Sequence, residues 1–181
     1  MTRRALVLVL AACAFAVPVH ADAPTSPYAG QQTRTIKALS PEDVAALLNA
    51  EGMGMAKAAE LNGYPGPAHV LTLAKELKLT TAQQQQVQAI YDRMKAGAKP
   101  LGAELVERER ALDQLFSKGE ITVDRLVAET VAIGELQGRL RSVHLAAHLD
   151  TRRMLNPDQI VLYQRLRGYG DPATPIHHHH G

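Results

Sequence analysis

One cysteine, Cys13, is all the thiol that this 181-residue chain carries, and it lies in an apolar stretch near the N-terminus. If that stretch is removed, no disulfide, thiolate metal site or cysteine nucleophile remains. Tryptophan is absent and aromatic residues make up 4% of the chain. A core must therefore come from Leu, Val, Ile, Ala and Met. Past the N-terminal stretch no apolar run reaches the roughly 18 residues of a transmembrane helix. Neither sign of charge dominates, with 20 Lys and Arg against 18 Asp and Glu. Losing Arg3 and Arg4 with a leader would bring the two numbers level, which argues against a general nucleic-acid binder. No Ser/His/Asp set, phosphate loop or paired-carboxylate site stands out, so the chain reads as a non-enzyme.

What is there begins with a leader. Arg3 and Arg4 form a basic start, and Ala5 to Val17 an apolar run too short to span a bilayer comfortably. Val19-His20-Ala21 is a small-residue cleavage site. Together they predict a secretory signal peptide over residues 1–21. Leu10-Ala11-Ala12-Cys13 offers an alternative, since it resembles a bacterial lipobox and would anchor the chain through a lipidated Cys13. The better cleavage site follows the apolar run and favours ordinary secretion. Residues 22–38 are rich in Pro, Ser, Gly and Gln and read as a disordered linker. Residues 39–168 read as one helical domain, and 169–181 as a flexible His-rich tail.

Helix starts punctuate the domain. In Leu79-Thr80-Thr81-Ala82-Gln83 and Leu155-Asn156-Pro157-Asp158-Gln159, Thr80 and Asn156 are good N-caps. Gln83 and Gln159 stand three residues on, where an amide can reach back to the cap. Leu79 and Leu155 precede the caps at the staple position. The staple's partner is apolar in the second copy (Ile160) and polar in the first (Gln84). Leu39-Ser40-Pro41-Glu42-Asp43 is a looser third copy with proline at a tolerated position.

The apolar pattern predicts a helix from Ser40 to about Leu61, weakened by Gly52 and Gly54, and a short one from about Ala68 to Leu77. Thr81 to Ser117 keeps a three-four spacing through Val87, Ile90, Met94, Leu101, Leu105 and Leu112. Pro100, between Gly97 and Gly102, should kink or split that helix. Thr122 can cap a second long helix over about Val123 to Arg153, and Asn156 a last one ending at Gly168. Two long helices with a short connection predict an all-α fold, an antiparallel hairpin with shorter flanking helices. One stripe on each rod leaves apolar area for those shorter helices or for a second subunit.

The paired Leu-Thr/Asn-x-x-Gln motifs resemble those of the Spy/CpxP family of periplasmic proteins over roughly residues 65–167. Asn156 departs from the family's threonine but caps equally well. The family includes ATP-independent chaperones, envelope-stress adaptors, and CnrX- and ZraP-like heavy-metal sensors and binders. The resemblance implies a cradle-like homodimer in the periplasm. It puts first the capture of unfolded or stressed envelope proteins on an amphipathic cradle. Arg139, Arg141, Arg152 and Arg153 would then form a rim for loose client binding. The bland reading of those arginines is complementation of helix C-terminal dipoles. A metal sensor or binder is the alternative, and an adaptor for a sensor kinase or regulator a third.

His144 and His148 are the sharpest metal candidates, because i, i+4 spacing puts two imidazoles on one helix face. CnrX-like sensors also carry such a ligand pair before the second motif. Leu145 occupies the position a metalloprotease gives to glutamate. His69 is a candidate third ligand, with Glu76 two turns later. The plainer reading is of boundary histidines bonded to backbone or carboxylates. His177, His178, His179 and His180 suit Zn, Ni, Co or Cu, unless they are a tag or a neutral tail. Met53, Met55, Met94 and Met154 are soft enough for copper, but their dispersal suits core or groove packing better.

Overall fold

The computed structural model describes residues 25–169. The expected signal peptide, Cys13 and the histidine run His177–His180 lie outside them. The chain divides into two units after Gln32. In the first, the described residues turn through Ala29, whose N–H donates to the Ser26 carbonyl at 2.9 Å. All that follows concerns the second.

Among the described residues there are six α-helices and no strand. They are α1 (Pro41–Leu48), α2 (Lys57–Glu60), α3 (Pro67–Thr72), α4 (Thr81–Ser117), α5 (Val123–Met154) and α6 (Pro157–Leu166). At 1.5 Å per residue α4 is about 55 Å long. Surface salt bridges mark the antiparallel register of α4 and α5: Arg93 meets Asp150 at 3.8 Å near one end, and Arg108 meets Glu129 at 3.4 Å near the other.

The caps explain why these elements start where they do. Ser40, Thr80 and Asn156 each accept the N–H three residues on, and Asp43, Gln83 and Gln159 each return a bond to the cap's own N–H. The Ser40 bonds hold the Asp43 carboxyl below its ordinary pKa. Thr122 caps α5 by accepting from Arg125. In the first motif the polar Gln84 donates its amide to the Leu79 carbonyl at 3.2 Å instead of completing an apolar staple.

Three expectations need correction. The helix expected from Ser40 to Leu61 breaks into α1 and α2, because Ala50, Met53 and Gly54 all take positive φ. Of the kink or split expected at Pro100, the split does not occur, and α4 runs unbroken. The end of the expected linker is packed: Ile36 is 3% exposed in the core, and Lys37 gives its N–H and its ammonium to Asp113 at 3.1 and 3.2 Å.

Two main apolar clusters hold the unit together. The mid-hairpin cluster joins Ile36, Leu47 and Ala50 to Ala98, Leu101, Leu105 and Val106 of α4 and Ile133, Leu136 and Leu140 of α5. Here α1 crosses α4 so closely that a Cβ on Gly102 would stand 2.2 Å from the Leu47 carbonyl oxygen. The second cluster, Val70, Leu77, Leu79, Val87, Leu155 and Tyr163, lies where α4 starts and α5 ends. Both staple leucines are buried in it.

The two capping glutamines meet at this second end. Gln83 Nε2 donates to Gln159 Oε1 at 2.9 Å, and Gln159 Nε2 returns a bond to Gln83 Oε1 at 3.2 Å. Gln83 also donates to the Met154 carbonyl and Gln159 to that of Leu77. The two motifs are thus one interlocked device that ties the start of α4 to the start of α6.

Candidate metal centre

Beside the interlocked caps, α2, α3, α5 and α6 converge on a buried carboxylate that the sequence did not single out. Glu60 ends α2 and is 9% exposed. Its Oε1 accepts from the Tyr163 hydroxyl at 2.5 Å and pairs with Arg167 Nε at 3.5 Å. Its Oε2 accepts the Gly66 N–H at 3.2 Å and lies 3.6 Å from His148 Nδ1. Burial, then the bond to Glu60, raises the Tyr163 pKa, so the phenol stays a donor.

His148, on α5, is held through the same nitrogen that faces Glu60. Its Nδ1 lies 2.7 Å from the Tyr64 carbonyl. A carbonyl only accepts, so Nδ1 carries a proton, and in the singly protonated ring the lone pair then lies on Nε2. The ring lies against Gly66, where a Cβ would come within 2.9 Å of Cε1. Gly66 also starts α3, with Pro67 at the first helical position. His69 follows on that helix and lines the same pocket as His148, Glu60 and Met53. Burial foremost, then the positive field of Arg167, lowers the His69 pKa. Its imidazole is therefore neutral at neutral pH, the form that binds metals.

The residues expected from sequence are distributed differently. His144 is buried at 3% exposure, and its Nε2 makes no hydrogen bond among the described residues. Its pKa is lowered, mainly by burial and further by His148 and Lys95. It does not line the pocket that His148 and His69 share. Glu76 is exposed and lies beyond the end of α3. Among the described residues no three His, Cys, Asp or Glu side chains are grouped so as to hold a metal ion.

The four arginines have different surroundings. Arg152 donates to the Gly63 carbonyl and stacks 4.6 Å above the Tyr64 ring. Arg153 is paired with Asp150 at 2.9 Å. Arg141 lines an adjoining pocket with Leu47, Met55 and Leu105, which shares Met53, Lys57 and Leu61 with the pocket of His69 and His148, while Arg139 is exposed. Of the methionines, Met94 is buried and Met55 and Met154 pack against the clusters. Met53 is 43% exposed.

The donors fit a borderline transition metal in kind. Two imidazoles line one pocket, and one is oriented by the backbone contact that commonly fixes a metal-bound histidine. Sequence reasoning missed Glu60 and Tyr163 because a lone acid and a lone tyrosine 103 positions apart carry no local pattern. No helix of the described residues is long and apolar enough to cross a membrane.

A family model described as heavy-metal resistance matches residues 54–161, which span Glu60, His69, His148 and both capping motifs. Neither the curated proteins nor the solved structures gave a match. With more than half of its length covered, the chain belongs to the heavy-metal resistance family.

Proposed function

We propose that this protein is an exported, non-enzymatic component of heavy-metal resistance that binds a transition-metal ion through His69 and His148. The observation that carries this reading is the Nδ1 contact of His148 with the Tyr64 carbonyl, which leaves Nε2 as a ligand atom in a pocket that His69 also lines. Glu60 serves as the frame. Its bonds to Tyr163 and Gly66 fix α2, α3 and α6 around the pocket. Zn, Ni, Co and Cu all suit imidazole nitrogen. The family match favours the metal reading over the chaperone that the capping motifs put first.

The test is calorimetric titration with Zn, Ni, Co and Cu of a chain in which His177–His180 are replaced by serine. The His69→Ala, His148→Ala double variant should lose affinity at least about tenfold. His144→Ala should keep it. Undiminished binding by the double variant would refute the site.

A second reading rests on a separate observation. Val123, Val127 and Val131 are 77%, 55% and 64% exposed along one side of α5, with Phe116 nearby in sequence at 57%. Apolar surface of this kind suits loose capture of unfolded envelope proteins in the periplasm. Val127→Ser with Val131→Ser should abolish any slowing of client aggregation while leaving metal binding alone. A sensor kinase as partner would instead show as one specific protein in a pull-down.

A further inference from the structure

The pocket shared by His69 and His148 has another donor on its wall. Met53 lies in the loop between α1 and α2 and lines that pocket. It is also out of character for its place. Its φ is +44°, a left-handed conformation that strains any residue with a Cβ. Glycines flank it, and a Cβ on Gly52 or Gly54 would meet nothing within 4 Å. A glycine at position 53 would relieve the strain, yet a long thioether stands there, 43% exposed and not used for core packing. Strain of this kind persists where surrounding structure holds a side chain for a task.

The kind of donor decides what that task is. The Glu60 carboxylate is committed, with Oε1 on Tyr163 and Arg167 and Oε2 on Gly66 beside His148. Both of its oxygens already face those donors, and Lys57 brings an ammonium to the pocket lining. The uncommitted donors on the pocket wall are the imidazoles of His69 and His148 and the thioether of Met53. A hard or strongly charged cation gains little from such a set, whereas a soft monovalent one is well served. We propose that Met53 is the third ligand of this site and directs it to the soft monovalent ions Cu(I) and Ag(I). This rests on the reading of His69 and His148 as ligands.

The experiment compares Ag(I) and Zn(II) titrations of the full chain carrying serine at positions 177–180, with and without Met53→Leu. Leucine keeps volume and hydrophobicity at an exposed position but removes the sulfur, and thermal unfolding confirms that the fold survives. Ag(I) affinity should fall about tenfold or more while Zn(II) affinity changes less than about twofold. X-ray absorption of the Cu(I)-loaded chain should show a sulfur neighbour that Met53→Leu removes. Unchanged Ag(I) affinity with His-dependent Zn(II) binding intact would overturn the role of Met53 and leave the two-histidine site standing. Equal losses for both ions would overturn it too, by making Met53 a structural residue. Binding of neither ion by the parent chain would remove both proposals.

Discussion

Between Ala98 and Leu140 the hairpin buries only aliphatic side chains, whereas the end where α4 starts and α5 finishes buries Glu60, His148, Thr151 and Gln159 among its apolar neighbours. The first region is held by area and shape, which many combinations of Leu, Ile and Val can satisfy. The second is held by one-to-one bonds in a dry setting, where each partner removed leaves another group unsatisfied. The lesson is one of tolerance. The apolar middle supplies a frame that survives repacking, and the polar end supplies a unique arrangement, which is what a binding site requires.

The sharpest break of this contrast is Glu60→Ala. It strands the Tyr163 hydroxyl and the Gly66 N–H, and unfolding by denaturant should show a loss of about 3 kcal/mol. A large-to-small change such as Leu136→Val in the middle should cost clearly less, about 1 kcal/mol. Next in size is Gly102→Ala, which tests the one place where the middle is also exacting. Its Cβ would meet the Leu47 carbonyl, so α1 must shift, at about 2 kcal/mol, with faster amide exchange confined to α1. Third is a double-mutant cycle on Gln83→Ala and Gln159→Ala. Each loses a cap bond of about 1 kcal/mol, and the reciprocal amide pair should add a coupling of about 0.5 kcal/mol or more. Additive losses would mean that the two caps act alone.

The smallest expected effect concerns pH. The His144 pKa lies below its ordinary value of 6.5 in the folded chain, so the unfolded chain takes up the proton first. Its contribution to stability is therefore present above the ordinary value and declines as pH falls through it toward the folded value. His144→Leu removes both the titration and the unpaired Nε2. It should flatten the decline in stability below that ordinary value, seen as a smaller drop in Tm on acidification. An unchanged acid slope would assign the sensitivity to His69, whose pKa is lowered for the same chief reason.

Much of the frame was legible in one dimension. The residues Thr80, Thr122 and Asn156 mark the starts of α4, α5 and α6 because a cap bonds a group three residues away, within the same window of sequence. The stripes from Val87 to Leu105 and from Ile133 to Ala147 show their buried face for the same reason of short period. The break between α1 and α2 was half visible in Gly52 and Gly54, but Ala50 and Met53 at positive φ were not, because neither residue favours that conformation intrinsically.

The site was another matter. His148 was legible as a candidate through its spacing from His144, but that spacing does not point to His69, with which His148 shares a pocket. The i, i+4 pair shares a helix face, yet the packing of α2 and α3 leaves His144 buried and His148 on the pocket with His69. What the sequence by itself determined was the set of helices, their starts and the face each buries, since these depend on neighbours within a few residues. Only the tertiary structure decided that Gln83 answers Gln159, that Tyr163 answers Glu60 and that His148 answers Tyr64. Those partners stand 76, 103 and 84 residues apart, and the direction of a hydrogen bond across such a gap is set by how the helices pack, which no local spacing encodes.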